Sequence, residues 1–333
     1  MKRKILSFGL MLSLAFGGLI VSCNNSEDAD VLPAVTNTGY NYIIPPVGTT
    51  GRIQVLGNPK NYSDTATRHV VSVAYDLKNS RAFDLNKYYS SAANLSGDVL
   101  KEKISQIISS GAKKLDYSEN KEPDKFDVWD MCREGDQDPK NPGKVWLIYT
   151  EKSINKSFRS GSANGDSKWN REHVWAKSHG DFGTSNGPGT DGHHLRAADV
   201  SENGRRSNYD FAGEVGASKG LKNGYYTPPK SSRGDVARMI LYMELRWNAS
   251  HNLKVDDKVE PKNTDRARHG KLSDLLKWHN EDPVDPYEIR RNNVIFKYQG
   301  NRNPLVDHPE LVEYIFGNKK GQSWDGGYVY SAN

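Results

Sequence analysis

Cysteine is nearly absent from this chain: Cys23 and Cys132 are the two among 333 residues. That scarcity excludes a disulfide framework and a cysteine-built zinc cluster. Apolar residues are also few, at 35%, and the mean hydropathy is −0.77. At this length the supply still suffices for a buried core. Thirty glycines and 15 prolines fall without period, which excludes a collagen-like repeat and describes a turn-rich protein. Internal repeats are missing, as are low-complexity tracts beyond one polar segment over 24–39. Neither sign of charge dominates: 46 Lys and Arg stand against 41 Asp and Glu. Three of the cations, Lys2, Arg3 and Lys4, head the amino terminus, and without them the balance is 43 against 41. Overall charge is therefore weak support for a polyanionic partner, and a nucleic-acid surface must come from local clustering.

The long hydrophobic run is confined to residues 5–21. It follows the basic residues and ends in Leu19-Ile20-Val21-Ser22-Cys23, the order of a secretory signal. Seventeen residues with three glycines are at the short limit for a membrane span. The ending resembles a bacterial lipobox. That resemblance implies a lipoprotein signal peptide over 1–22, lipidation at Cys23, and a tether over 23–39. The acidic residues after Cys23 resemble the export signal of surface lipoproteins in Bacteroidetes-type bacteria. The implied location is the cell envelope, at the outer membrane and surface-exposed, with membrane contact through the Cys23 anchor. Cys132, left alone in Trp129-Asp130-Met131-Cys132, reads as a small hydrophobe on a buried helix face.

Residues 40–84 carry short β-branched and aromatic runs and read as a β-rich amino-terminal region. From about Tyr88 the pattern changes. Leu100, Ile104, Ile107 and Ile108 share one helix face, with Ser96 as N-cap. Residues 145–149 predict a buried strand and 161–166 a loop. Val236, Ile240, Met243 and Trp247 predict a second amphipathic helix. Asp285-Pro286-Tyr287-Glu288 has the grammar of a helix start, and Asp307-His308-Pro309-Glu310 repeats it before a last short helix. No boundary interrupts this stretch. It reads as one domain over 85–320, followed by a tail over 321–333.

The densest polar chemistry lies between Trp169 and Phe211. It comprises Trp169-Asn170-Arg171-Glu172-His173-Val174-Trp175, then Asp191-Gly192-His193-His194-Leu195-Arg196, then Asn203-Gly204-Arg205-Arg206-Ser207-Asn208-Tyr209. Phosphodiester hydrolysis needs a base that takes a proton from water near neutral pH, and histidine suits that task. It also needs a hard cation to offset growing oxygen charge, held by oxygen donors such as a carboxylate and an amide. Arginine adds a fork-shaped donor for phosphate. Glu172, His173, Asn203 and Arg206 supply this set. On a strand, Glu172 and His173 point to opposite faces, so both serve one phosphate only where the strand bends or ends.

The ordered motifs Glu-His-Val, Asp-x-His-x-Leu and Asn-Gly-x-Arg-Ser-Asn resemble the bacterial endonuclease I family. The wording Trp-Asn-Arg-Glu-His-Val-Trp is nearer extracellular nucleases of the Bacillus type. Tyr88-Tyr89-Ser90-Ser91, Arg233-Gly234-Asp235-Val236-Ala237-Arg238 and Arg302-Asn303-Pro304-Leu305-Val306-Asp307-His308-Pro309-Glu310 extend the similarity over roughly 85–320. The resemblance implies an α+β fold: a ββα-metal (His-Me) finger in a helical, loop-rich body. It implies a low-specificity endonuclease acting on DNA, RNA or both, using Mg2+, with Ca2+ or Mn2+ as substitutes. His173 is then the general base. Glu172 and Asn203 are the metal ligands. Arg206 contacts phosphate or braces the finger. The products carry 5′-phosphate and 3′-hydroxyl ends. No protein partner is implied, and a monomer is expected.

The chain departs from the periplasmic members of that family, which carry a cysteine-rich insertion with a phosphate-holding arginine. Here the loop over 180–190 is short and has neither cysteine nor arginine. That role falls to Arg196 or Arg302, while Arg205 adds positive charge beside Arg206, so all three are candidate nucleic-acid contacts. Two other readings stand beside the nuclease. One is a non-catalytic surface-binding lipoprotein. The other is a zinc phosphoesterase using His193 or His194, although neighbouring histidines on a strand face opposite ways. His193 is expected to pack and hydrogen-bond, and His179 to lie in a loop.

Overall fold

A computed structural model describes residues 85–326 apart from 120–124, 162–167, 214–218 and 262–266, together with the backbone of five short strands between Val35 and Asp76. The signal peptide over 1–22 and the lipidation of Cys23 lie outside the described residues. Strand Val35–Asn37, within the segment read as a tether, pairs antiparallel with Tyr40–Tyr42, which pairs with Val55–Leu56. Thr50–Ile53 pairs with Val73–Asp76. Four of these five strands fall within residues 40–84.

The main body mixes helices with small sheets, an α+β arrangement. Helix α1 (Gly97–Ser109) buries Leu100, Ile104 and Ile108, as its spacing predicts. Ser96 sits at its N-cap, but its side chain makes no capping bond. Helix α2 (Val128–Gly135) starts with a capping box: Asp127 accepts from the Trp129 and Asp130 amides, and Asp130 accepts from the Asp127 amide. Cys132 is buried on this helix, where burial pushes its thiol pKa up and keeps it protonated and inert.

Strand β1 (Asn141–Trp146) ends earlier than the apolar run 145–149 predicts. Leu147, Ile148 and Tyr149 are buried without joining a longer strand, and Ile148 instead donates its amide to the Ala197 carbonyl at 3.0 Å. A short apolar run satisfies a buried turn as well as a strand, and periodicity does not separate the two. The loop expected over 161–166 falls almost wholly outside the described residues.

Strand β2 (Trp169–His173) and strand β3 (Leu195–Asp199) pair antiparallel, with Leu195 opposite His173 and Arg196 opposite Glu172. Helix α3 (Val200–Arg206) follows β3 without a linker. Asp199 makes the junction by accepting from the Ser201 and Glu202 amides at 2.9 and 3.0 Å.

Helix α4 (Arg233–His251) is the central element, buried from Arg233 through Leu245. Trp247, expected on its apolar face, is only half-buried and donates its indole N–H to Asp191. Helix α5 (Leu272–Glu281) packs on α4. Helix α6 (Pro286–Gln299) begins as its sequence predicts, with Asp285 accepting from the Glu288 amide at 2.9 Å and Pro286 in the first turn. It ends at Gly300, whose φ of 79° is the left-handed cap conformation glycine adopts at no steric cost. The last short helix spans Leu311–Ile315. One apolar core surrounds α4, and a smaller one lies among α2, β1, β2, β3 and α6.

Several ion pairs are buried in the body. Asp136, fully buried, receives Arg196 Nε at 2.7 Å, Arg291 Nε at 3.0 Å and the Ala197 amide at 2.6 Å. Arg196 also reaches Asp235 at 3.0 Å. Asp191 collects Arg246, Tyr242, Trp247 and Gln299, and the Arg246 guanidinium is the largest influence holding its pKa well below the ordinary carboxylate range against the cost of burial.

Candidate active site

Glu172 and His173 are the last two residues of β2, so the strand ends where the sequence reading requires it to. Their side chains meet different surroundings. Glu172 is 3% exposed and faces α3. Its Oε1 accepts from the Tyr149 hydroxyl at 2.7 Å and pairs with Arg206 Nη1 at 3.2 Å. Asn203 lies close enough to favour the charged form of this carboxylate. Burial raises the Glu172 pKa, while Arg206, Tyr149 and Asn203 oppose the rise by favouring the charged form.

His173 is 6% exposed and lies between Tyr117 and the loop that precedes β3. Its ring stacks on Tyr117 with centroids 5.6 Å apart and 24° between planes. Its Nε2 lies 2.9 Å from the Gly189 carbonyl oxygen. A carbonyl only accepts, so Nε2 carries the proton and Nδ1 presents the lone pair. Burial pushes the His173 pKa well below 6.5; His194, Lys177 and Arg171 push the same way and the Gly189 carbonyl opposes them. The ring is therefore neutral at pH 7, the state a proton acceptor needs.

The turn Pro188–Thr190 holds two histidines with successive carbonyls. The Pro188 oxygen accepts from His194 Nε2 at 2.7 Å, beside the Gly189 contact to His173. His194 Nδ1 accepts from the Trp175 amide, and burial lowers the His194 pKa to about 4. His193 points elsewhere, with Nε2 at 3.1 Å from the Asn301 carbonyl and the ring against Tyr242. The two histidines thus have separate partners, and His193 packs and hydrogen-bonds as expected.

Asn203 is on α3, and its Nδ2 donates to Asn170 Oδ1 at 2.8 Å. With that nitrogen engaged, the side-chain oxygen is the atom suited to a cation. Arg206, on the same helix, is buried. It donates to the main-chain oxygens of His173, Val174 and Ser207 at 3.2, 2.6 and 3.2 Å, and its charge pairs with Glu172. Of its two expected roles, this geometry is that of a brace.

The candidate nucleic-acid contacts divide. Arg205 is exposed, at 64% of its side chain, beside Glu202 at 3.2 Å. Arg196 was expected at a substrate groove. It is fully buried between Asp136 and Asp235, so it meets no surface ligand in this arrangement. Arg302 is likewise placed internally, bonded to Asp307 through Nε and Nη2 at 2.7 Å each and to Asn293 at 2.8 Å. Arg196 is drawn inward by carboxylates distant in sequence, and Arg302 by Asp307, five residues on.

A second group of ligand-type residues lies nearby. His179, Asp210 and His269 are buried, with candidate ligand atoms all within 4.8 Å of one another. His179 lies in the short turn Lys177–His179 and is buried: its two ring nitrogens face the Arg268 and Asn208 carbonyls at 2.7 and 2.8 Å. His269 lies between Asp210 and Arg206. The nitrogens are thus already engaged with protein groups.

Tyr149, Tyr117, Gly189 and His269 are the site residues that sequence reasoning missed. Tyr149 and Tyr117 carry no local motif, and His269 is reached only through the fold. Gly189 had a faint signal in the short Gly-Pro-Gly-Thr turn.

The endonuclease I family model matches residues 96–310. An extracellular ribonuclease of Bacillus subtilis is 46% identical over 242 residues, covering 70% of this chain and 79% of the relative. The extracellular ribonuclease of Bacillus amyloliquefaciens matches to the same extent. A periplasmic deoxyribonuclease of Aeromonas hydrophila is 31% identical over 127 residues, covering 35% of this chain and 47% of that protein. With its central two thirds matched and its Glu172–His173 strand end packed against α3, the chain belongs to the endonuclease I family and is a nuclease.

Proposed function

We propose that this protein is a divalent-metal-dependent endonuclease of low sequence specificity, and that β2, β3 and α3 form its ββα-metal finger. The observation that carries this reading is the neutral His173, fixed through Nε2 on Gly189, at the end of the strand that also presents Glu172 to α3. Mg2+ fits the donor set: Glu172 offers a carboxylate and Asn203 an amide oxygen, and neither offers sulfur or imidazole. When bound, such an ion supplies electrostatic stabilisation of the charge that develops on phosphate oxygens.

The chain's own residues supply the rest. His173 Nδ1 takes the proton from the attacking water while the Gly189 carbonyl holds the ring by its other nitrogen. Tyr149 and Arg206 keep Glu172 ionised and oriented. Arg205, exposed on α3, contacts the nucleic-acid backbone. The 46% identity to proteins named ribonucleases supports RNA as a substrate, with DNA beside it. The amino terminus keeps its sequence reading as a signal peptide with a lipid anchor at Cys23. The extracellular and periplasmic designations of the relatives support export.

The test is incubation of residues 24–333 with structured RNA and with supercoiled plasmid, in Mg2+ and in EDTA. Metal-dependent loss of RNA, with plasmid nicking beside it, supports the reading. Cleavage that persists in EDTA contradicts the metal requirement, and no cleavage of either substrate by folded protein contradicts the activity on these substrates.

A further inference from the structure

Arg206 reaches Glu172 from one side and His269 from the other. His269 Nε2 lies 2.7 Å from Arg206 Nη2, and His269 Nδ1 lies 3.0 Å from Asp210 Oδ1. All four residues are buried. An arginine only donates, so Nε2 of His269 accepts and its proton resides on Nδ1, directed at Asp210; the Val174 carbonyl, 3.2 Å from the same Nε2, accepts from Arg206 Nη2 at 2.6 Å instead. Asp210 is itself fixed, since Oδ1 also accepts from the Gly270 amide at 2.8 Å. Burial lowers the His269 pKa to about 3, so the ring is neutral and single-protonated, as this directed chain requires.

We propose that Asp210 and His269 are positioning residues that hold the Arg206 guanidinium against Glu172, setting the orientation of the metal-binding carboxylate from beyond its immediate neighbours. The proposal rests on the reading of Glu172 as a metal ligand. Arg206 also bonds to the His173 and Val174 carbonyls, so the same guanidinium ties the end of β2 to the carboxylate. Without an acceptor at His269, the guanidinium shifts toward the carbonyls and Glu172 loses its alignment. Asp210 comes from the short strand Asp210–Phe211 and His269 from Arg268–Lys271. The sheet framework thereby reaches the site through one hydrogen-bonded line.

The experiment compares wild type, His269→Asn, His269→Gln and Glu172→Gln. Mn2+ affinity is measured by electron paramagnetic resonance, and cleavage rate is measured against Mg2+ concentration. Glutamine sets its amide oxygen near the place of Nε2 and keeps an acceptor for Arg206; asparagine is too short to reach. His269→Asn is expected to weaken Mn2+ binding, and to raise the half-saturating Mg2+ concentration, by about tenfold or more, the usual effect of removing an outer partner of a metal ligand. His269→Gln is expected to restore most of that loss. A lower melting temperature with unchanged Mn2+ affinity in His269→Asn would overturn the proposal and leave the histidine a purely structural role. Should His269→Asn fail to fold, Asp210→Asn carries the test, with weaker Mn2+ binding expected and unchanged binding overturning the proposal. Glu172→Gln separates the two levels: native Mn2+ affinity in this variant would overturn the ligand reading and the positioning proposal with it. Lost affinity there, with His269→Asn unaffected, would overturn the positioning proposal alone.

Discussion

The carbonyl oxygen of Gly189 lies 2.9 Å from Nε2 of His173, and this contact fixes the histidine's tautomer. Gly189 holds that position because a side chain there has no room: a Cβ would collide with the backbone oxygen of Gly183. Gly189→Ala must therefore move the turn and release the ring. The expected outcome is about a tenfold or greater fall in kcat, since misplacing a catalytic group by a fraction of an ångström is costly. Metal affinity should stay near wild type, because the side-chain bonds of Glu172 and Asn203 go to Tyr149, Arg206 and Asn170 rather than to this turn. Parallel cleavage and Mn2+-binding assays check this.

Tyr149→Phe removes the hydroxyl that bonds Glu172 Oε1 at 2.7 Å. That bond lowers a Glu172 pKa which burial has raised above the ordinary value of 4.5. Its loss raises the pKa further, so the carboxylate becomes competent for metal only at higher pH. At subsaturating Mg2+ the acid limb of the rate profile should move to higher pH in Tyr149→Phe, with the neutral plateau reduced several-fold. A pH–rate series on both proteins measures the displacement.

Stability should fall in mild acid. Burial lowers the pKa of His193, His269 and His279 to about 3, that of His194 to about 4, and that of His173 well below 6.5. The unfolded chain takes up protons at these histidines below pH 6.5 while the native protein does not, so stability present above 6.5 is lost as pH drops. Each such group contributes up to about 1.4 kcal/mol per pH unit. Glu172 and Glu288, raised by burial, act in the opposite sense but are outnumbered. Urea denaturation at pH 7.5, 6 and 5 should show a falling midpoint.

Local grammar carried much of this structure. The α6 start at Asp285-Pro286 and the apolar spacing of α1 were legible because each is set by residues close in sequence, whereas the strand–strand–helix order of the site came from the family resemblance. Glu172, His173 and Asn203 could be singled out by motif. Partners that meet only in the fold could not. Arg196 and Arg302 look in sequence like surface cations. Asp136 and Asp235 bury the first, while Asp307, five residues on, binds the second. A buried ion pair leaves no periodicity in the sequence. Tyr149 and His269 were hidden for the same reason, since each reaches the site across long stretches of chain.

The most direct measurement is the single-turnover cleavage rate of His173→Ala on structured RNA at saturating Mg2+, beside its melting temperature. Loss of the base should lower the rate by about a hundredfold or more, with the melting temperature and Mn2+ affinity close to wild type. Cleavage at the wild-type rate would contradict the assignment of His173 as the group that deprotonates water.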